Sequence, residues 1–431
     1  MPLTVLNGPD VRSLLLSLTR QEVREIQDKV ASVLREYSRG AQDELGQVQQ
    51  HMVIRQQDGL DSILMPLHSG GDAGFEVMNV LEGSGQQRRQ SQPASIPSPR
   101  RTSNPGDNQG SIASVPPEIE SSPSVPSQRT IEEHPSTANF DKTANTESAR
   151  DFRSGYLTIS DSFGMPAALI NTQDVIPFRS ALCSSLVFAR REKVEAITIF
   201  GAGRVAFWHI RLALLLRGSQ IKKVDIFNRS FDRASKLLRD IYSPEQMQWR
   251  SGVKFAAVSP SFIDYDRDLK HSVTNADVIF CCTSSKEPLF PADYLIMPPT
   301  SQKGQLISAV GSCRPDTAEL DPLLLKHATE GHRHYRGGTV VVDTLDSCLQ
   351  QAGELVQAGL DPLRLVEVGE LLMVNDFAQR GKSPDEKLLD WIQDGDVIYK
   401  SVGLGMLDLV LGKEIWHRAM QKGIGITVPQ L

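Results

Sequence analysis

Six consecutive residues, Gly201-Ala202-Gly203-Arg204-Val205-Ala206, directly follow an apolar run ending at Phe200 and open a helical pattern from Arg204 to Arg217. A glycine turn placed between a strand and a helix can cradle a pyrophosphate. Gly201 permits the tight turn, Gly203 admits the backbone close to the phosphates, and small Ala206 lets the helix pack on its strand. The helix N-terminus adds unpaired N–H groups and the positive end of a dipole. Alone the motif is weak. A second strand, KVDIFN, ending about 22 residues beyond Ala206 completes the spacing of a dinucleotide site.

The tip of that second strand reads Asn228-Arg229-Ser230. A carboxylate there would bind the ribose hydroxyls of NAD and repel a 2′-phosphate, whereas Arg229 and Ser230 can bind one. NADP(H) is therefore favoured over NAD(H), with Arg233 one helical turn further as a second cation. Asp225 lies mid-strand rather than at the tip. The five cysteines, Cys183, Cys281, Cys282, Cys313 and Cys348, form no CxxC pair and are odd in number, which predicts neither a disulfide framework nor a structural zinc site. Cys281-Cys282 continues a buried strand, and Cys313 has no neighbouring His to activate it. His332 and His334 flank Arg333 in a polar loop and read as solvated. No metal is expected.

These residues need a scaffold. From Ala196 onward, ITIF, KVDIFN, VKFAAV, ADVIFCC, QLISAV and TVVVD alternate with helical stretches, one of them capped by Ser230, which predicts a parallel sheet covered on both faces. Ahead of it, Pro9 to Ser38 reads as two helices. Asp10 is expected to cap the first, and Thr19 with Glu22 forms a capping box for the second. Val23, Ile26, Val30, Val33 and Leu34 recur at helical spacing and mark one buried face. HMVIR, DSILMP, GYLTIS and PAALIN read as strands of an antiparallel or mixed sheet. Beyond about Asp376 come two helical stretches around DVIYKSV. Between Ser91 and Thr130, 10 Ser and 8 Pro fill 18 of 40 positions without an aromatic residue. Such a segment cannot offset its ordering entropy, so disorder is expected from 83 to 152.

The 431 residues carry 46 Lys and Arg against 52 Asp and Glu, a formal net charge of −6, which argues against a general nucleic-acid binder. No stretch approaches the roughly 18–20 apolar residues that span a bilayer, and the opening lacks a basic and apolar leader. A soluble cytoplasmic protein is expected, with no nucleic-acid or membrane partner.

Several stretches, in order, resemble the ornithine cyclodeaminase/mu-crystallin family: Phe178-Arg179-Ser180-Ala181, then GAGRVAFWHIRLALLLRG with His209, Thr283-Ser284-Ser285 with Pro288, and AVGSCRPDTAELD. Val342-Asp343 with Gly353-Glu354 and Lys400-Ser401-Val402-Gly403 follow. SCRPDTAELD is closer to the mu-crystallin branch, which reduces cyclic ketimines. The resemblance implies an α/β chain in which a Rossmann-type, doubly wound nucleotide domain is inserted in a second α+β substrate and dimerisation domain. The expected division is 1–82, 83–152 (the disordered insertion), 153–193, 194–375 (the nucleotide domain) and 376–431. It also implies a homodimer acting on a small imine or amino acid. Arg179 takes the position that binds the substrate carboxylate. Gly201, Ala202, Gly203, Arg204, Val205, Asn228, Arg229, Ser230, Thr283, Ser284, Lys400 and Gly403 fall on the cofactor side.

The sequence departs from the family at four places. Cys313 holds the position of the catalytic acid of the cyclodeaminases, Glu76 stands most nearly where a Lys is usual, and Val205 replaces a frequent Gln. The upstream Arg of the carboxylate clamp has no clear match near His51, Met52 and Arg55. The expected activity is NAD(P)H-dependent reduction of a cyclic ketimine or imine carboxylate. The alternatives are an ornithine cyclodeaminase-like lyase releasing proline and ammonia, or a non-catalytic NADP-binding protein.

Overall fold

A computed structural model of the chain describes residues 2–41, 52–54, 60–69, 72–81, 154–161, 163–250, 252–296, 304–330, 339–379, 386–429. Residues 1–82 with 152–431 form one unit and 83–151 another. The predicted disordered insertion, His51, Arg55, His332 and His334 lie outside the described residues.

The glycine motif follows strand β7 (Ala196–Phe200). This strand belongs to an eight-stranded sheet with β8 (Lys223–Phe227), β9 (Lys254–Val258), β10 (Val278–Cys281), β11 (Leu306–Ala309), β12 (Val340–Val342), β13 (Leu365–Glu367) and β14 (Val397–Lys400). Its order is β13-β12-β14-β11-β10-β7-β8-β9, and every pairing is parallel. Residues of β10, β11, β12 and β14 are buried without alternation. Helices on both faces remove any polar side, so the strands read as continuous apolar runs. The strand order reverses at β7, between β8 and β10, and ligands of open α/β sheets bind at such a crevice, outside the carboxyl ends of the strands.

The second sheet holds β1 (Leu3–Leu6), β2 (Met52–Ile54), β3 (Leu60–Ser69), β4 (Asp72–Leu81), β5 (Ser154–Ser160), β6 (Pro166–Asn171) and β15 (Ile426–Val428), in the order β15-β1-β6-β5-β4-β3-β2. It is antiparallel except where β1 runs parallel to β6. The helix Gly405–Lys422 packs across it. Gly412 makes that approach possible, since a Cβ there would lie 2.2 Å from Leu157 Cδ2. Arg20–Glu36 packs beside it, burying Val23, Ile26, Val30 and Leu34 as the periodicity requires. Its box is reciprocal: the Thr19 hydroxyl accepts from Glu22 N–H, and the Glu22 carboxylate accepts from Thr19 N–H.

Three expectations are corrected. Asn7, not Asp10, caps the first helix, Gly8–Leu16; Asp10 is its partner three residues on, and its carboxylate accepts from Asn7 N–H at 3.1 Å. Val397–Lys400, expected in the closing segment 376–431, is a central strand of the parallel sheet between β11 and β12. Its four buried residues carry the parallel-strand signature, but position in the chain outweighed that pattern. The β4 strand, holding Glu76 opposite Met65 and Leu157, and the edge strand β13 were not anticipated.

Asp174, which precedes the helix Val175–Phe188, ties three elements together. Its carboxylate accepts from Arg12 (3.2 Å), from Arg204 (2.7 Å) and from the Trp208 indole (2.8 Å). The Trp208 ring meets Phe178 edge-on at 5.2 Å. The helix bearing Arg179 is thereby fixed against the helix that follows the glycine turn.

Candidate active site

Gly201 adopts φ +108°, a conformation that only glycine takes without strain. A Cβ at this position would also lie 2.7 Å from the Cys282 carbonyl oxygen, so the turn needs glycine for both conformation and space. Gly203 differs. It precedes the helix Arg204–Arg217 in extended backbone, offers no side-chain cap, is exposed, and has nothing within 4 Å of where a Cβ would be. Uncapped N–H groups at a helix start facing open space fit a pyrophosphate. Ala202 and Val205 are partly buried beside the turn and pack against the core, and Arg204 is exposed while bonded to Asp174.

At the end of β8, Asn228 donates its side-chain N–H to the Ser230 carbonyl at 2.7 Å, and Ser230 caps the helix Phe231–Ile241. Arg229 is exposed. Asp225 is turned to Lys223 (2.7 Å) and Ser272 (2.9 Å), so its carboxylate is occupied within the sheet rather than at the tip. The strand end is thus neutral at Asn228 and cationic at Arg229.

Across the crevice, the loops after β10 and β11 touch: a Cβ on Gly311 would lie 1.8 Å from the Thr283 carbonyl oxygen. Glu319, fully buried, accepts from the N–H and hydroxyl of Thr283 (2.6 and 3.0 Å) and from the N–H groups of Gly311 and Ser312 (2.6 and 3.3 Å). Burial pushes its carboxyl up to about 7, against the pull of Lys400 and the donors of Thr283 and Gly311. Ser284 is exposed beside Thr283.

Lys400 was expected on the cofactor side, but its ammonium is enclosed beneath the loops. It donates to the Ser312 carbonyl (2.7 Å) and hydroxyl (2.6 Å) and pairs with Glu354 at 3.1 Å, while the Ser312 hydroxyl donates to Glu354. Burial alone would lower the ammonium's pKa; Glu354 and Glu319 outweigh it and raise the value above its usual range. Lys400 is thus a fixed positive charge in a positioning network. Cys313 is partly exposed on the same loop, its thiol donating to the Val310 carbonyl at 3.6 Å.

Asp343 orders the other wall. Its carboxylate accepts from the Ser401 hydroxyl (2.7 Å) and from the N–H groups of Val402 (3.1 Å) and Gly403 (2.7 Å). Gly403 has φ +98°, and a Cβ there would lie 2.6 Å from Arg179 Nη1. Arg179 is buried against this loop, and its Nε–Nη2 edge forks onto Asp408 at 2.9 and 3.1 Å. The bidentate edge is therefore held by the protein's own carboxylate. Motif matching alone had not assigned roles to Glu319, Glu354, Asp343 or Asp408. The first three lie in or beside the quoted stretches; Glu319 meets Gly311 and Ser312 within its own stretch, but Thr283 and the partners of Glu354 and Asp343 are far away in the chain.

Buried His209 links the helix Arg204–Arg217 to the helix Val175–Phe188. Its Nδ1–H donates to the Val205 carbonyl (2.8 Å), leaving Nε2 to accept from Ser184 (3.0 Å), which in turn meets Ser308 (2.8 Å). Burial lowers its pKa to about 4, so the imidazole is neutral. Among the described residues no group of three His, Cys, Asp or Glu could hold a metal, and no helix is long and apolar enough to cross a membrane.

The ornithine cyclodeaminase/mu-crystallin family model matches residues 139–423. The chain is 26% identical over 277 residues to the Delta(1)-pyrroline-2-carboxylate reductase of Bacillus cereus, covering 63% of this chain and 73% of that protein. It is 24% identical over 262 residues to the ketimine reductase mu-crystallin of Rattus norvegicus, covering 60% and 67%. Among solved structures, Thermococcus litoralis Delta(1)-pyrroline-2-carboxylate reductase in complex with NADH and L-proline matches in fold, with a TM-score of 0.63 and 16% identity over 99% of this chain and 100% of that one. With two thirds of its length matched and a crevice built from the stretches that suggested it, the chain belongs to the ornithine cyclodeaminase/mu-crystallin family.

Proposed function

We propose that the protein is an NAD(P)H-dependent reductase of a cyclic ketimine or other imine bearing a carboxylate, with NADPH preferred, yielding a cyclic or N-substituted amino acid. The observation that carries this reading is the chemistry of the crevice. It pairs an uncapped, open glycine turn at Gly203 with a thiol, Cys313, on the loop where a cyclodeaminase has its acid. A thiol is a poor substitute for a carboxylate that shuttles protons through a deamination, whereas hydride addition to an already protonated imine does not need one. Relatives named as reductases support the same class.

When bound, the reduced nicotinamide supplies a hydride to the imine carbon, and the nitrogen keeps the proton of the iminium ion. The chain's own groups bind and orient. The Gly201–Gly203 turn and the following helix take the pyrophosphate, Asn228, Arg229 and Ser230 take the adenosine end, and Thr283 and Ser284 line the nicotinamide-ribose side. Arg179 takes the substrate carboxylate, its guanidinium held in place by the Asp408 carboxylate. Lys400 and Gly403 shape this wall without the ammonium reaching the cleft. Five free cysteines, three of them buried, accord with a reducing, cytoplasmic setting. A homodimer is proposed from the family alone.

Arg179→Lys should raise the KM for a ketimine carboxylate roughly tenfold to a hundredfold with little change in NADPH affinity. An unchanged KM would remove Arg179 from the substrate site. The Arg179–Asp408 pair also favours a second reading, a binding protein whose anion site is already filled. It predicts NADPH binding without turnover of any imine carboxylate, and a substrate panel read by nicotinamide absorbance separates the two.

A further inference from the structure

We propose that Glu319 is a positioning residue for the nicotinamide end of the cleft, its carboxylate holding the loop after β10 and the loop after β11 at a fixed spacing. The assignment rests on the dinucleotide reading above and names a residue that acts through others.

The geometry is one oxygen per loop. Oε1 accepts both donors of Thr283, and Oε2 accepts the N–H groups of Gly311 and Ser312. Four donors converge on a group that, when ionised, is acceptor-only with about four lone-pair sites. Protonation would turn one oxygen into a donor facing donors, and that loop would lose its bonds to Glu319. The loops already touch at Gly311 and Thr283, so a small change in spacing moves both. Ser312 is also held by Lys400 and Glu354, so Glu319 is what ties that anchored loop to the loop of Thr283.

The groups facing Glu319 are Lys400 from β14, Glu354 from the helix Gly353–Ala358, and the thiols of Cys281 and Cys282 from the end of β10. Burial drives both thiols well above their usual range, so they stay neutral. Lys400 remains charged. Glu319, at about 7, is placed to change charge near neutrality. The clasp should therefore close as pH rises through that value and open below it.

The test is calorimetric titration of the full chain with NADPH and with 2′-phospho-ADP-ribose, the same molecule without the nicotinamide ring. The ratio of the two affinities cancels titration of the 2′-phosphate. In the wild type the ratio should fall roughly tenfold from about pH 8 to about pH 6. In Glu319→Gln it should be low and flat, with fragment affinity unchanged. A pH-independent ratio in a wild-type protein that binds both ligands overturns this assignment alone, and decides the matter even where the variant does not fold. Equal loss of both ligands in a folded Glu319→Gln protein also overturns it, because the residue would then support the whole domain. Failure of the wild type to bind either ligand overturns the dinucleotide reading, and this assignment with it.

Discussion

Gly201 and Gly203 stand two residues apart under opposite constraints. Gly201→Ala would place a Cβ 2.7 Å from the Cys282 carbonyl oxygen in a conformation unfavourable to any L side chain, and should cost about 1–3 kcal/mol of stability. Gly203→Ala meets no atom, so its unfolding free energy should match the wild type while NADPH affinity drops roughly tenfold. Paired denaturant melts and titrations check both, and unchanged NADPH binding in Gly203→Ala would remove the pyrophosphate from that turn. Arg229→Ala should weaken NADPH with NADH affinity unchanged; equal losses would refute the 2′-phosphate assignment. His209 supplies a pH signature. Its folded pKa of about 4 lies below the ordinary 6.5, so the unfolded chain binds the proton first. The corresponding stability, up to ~3 kcal/mol, is complete above 6.5 and lost as pH falls towards 4. Glu319 tilts the other way, since its raised carboxyl holds a proton in the folded state between 4.5 and about 7. Denaturant melts of His209→Gln across this range should show a shallower acid loss than the wild type. An identical slope would place the titration elsewhere.

At the scale of elements, Asp174 joins the helix Gly8–Leu16, the helix bearing Arg179 and the helix after the glycine turn through one carboxylate. Asp174→Ala leaves the buried Trp208 indole N–H and two guanidinium groups without this acceptor, and should destabilise the chain by about 3 kcal/mol in urea unfolding. A loss within measurement error would mean that packing alone sets the helices. The sequence made much of this level legible, because local rules governed it. Thr19 and Glu22 announced their helix, Ser230 its cap, and the apolar runs from Ile197 to Val342 their parallel strands. It failed where partners are remote. Val397–Lys400 joins β11 and β12 across long stretches of chain, and Glu319, Lys400 and Glu354 meet only after folding. Asn7 displaced Asp10 as a cap because either residue can accept, and the turn's geometry chose between them.

At the scale of the molecule, the candidate site lies at the carboxyl end of β7, where the strand order reverses between β8 and β10, with the glycine turn on one side and the Thr283 and Gly311 loops on the other. The wall carrying Arg179 comes from the segments before β7 and after β14, brought together by the return of the chain through β14 into the helix Gly405–Lys422. A homodimer would sediment at twice the chain mass; sedimentation at the monomer mass over a wide concentration range would contradict it. The rate of imine reduction should fall as pH rises through the imine's own pKa, since the iminium ion is the better electrophile. The most direct measurement is an assay of purified protein with NADPH and a cyclic ketimine carboxylate, following nicotinamide absorbance and product together. An imine reductase consumes one NADPH for each cyclic amino acid formed. Bound NADPH that no ketimine carboxylate oxidises, or proline and ammonia released from ornithine at constant absorbance, would contradict that function.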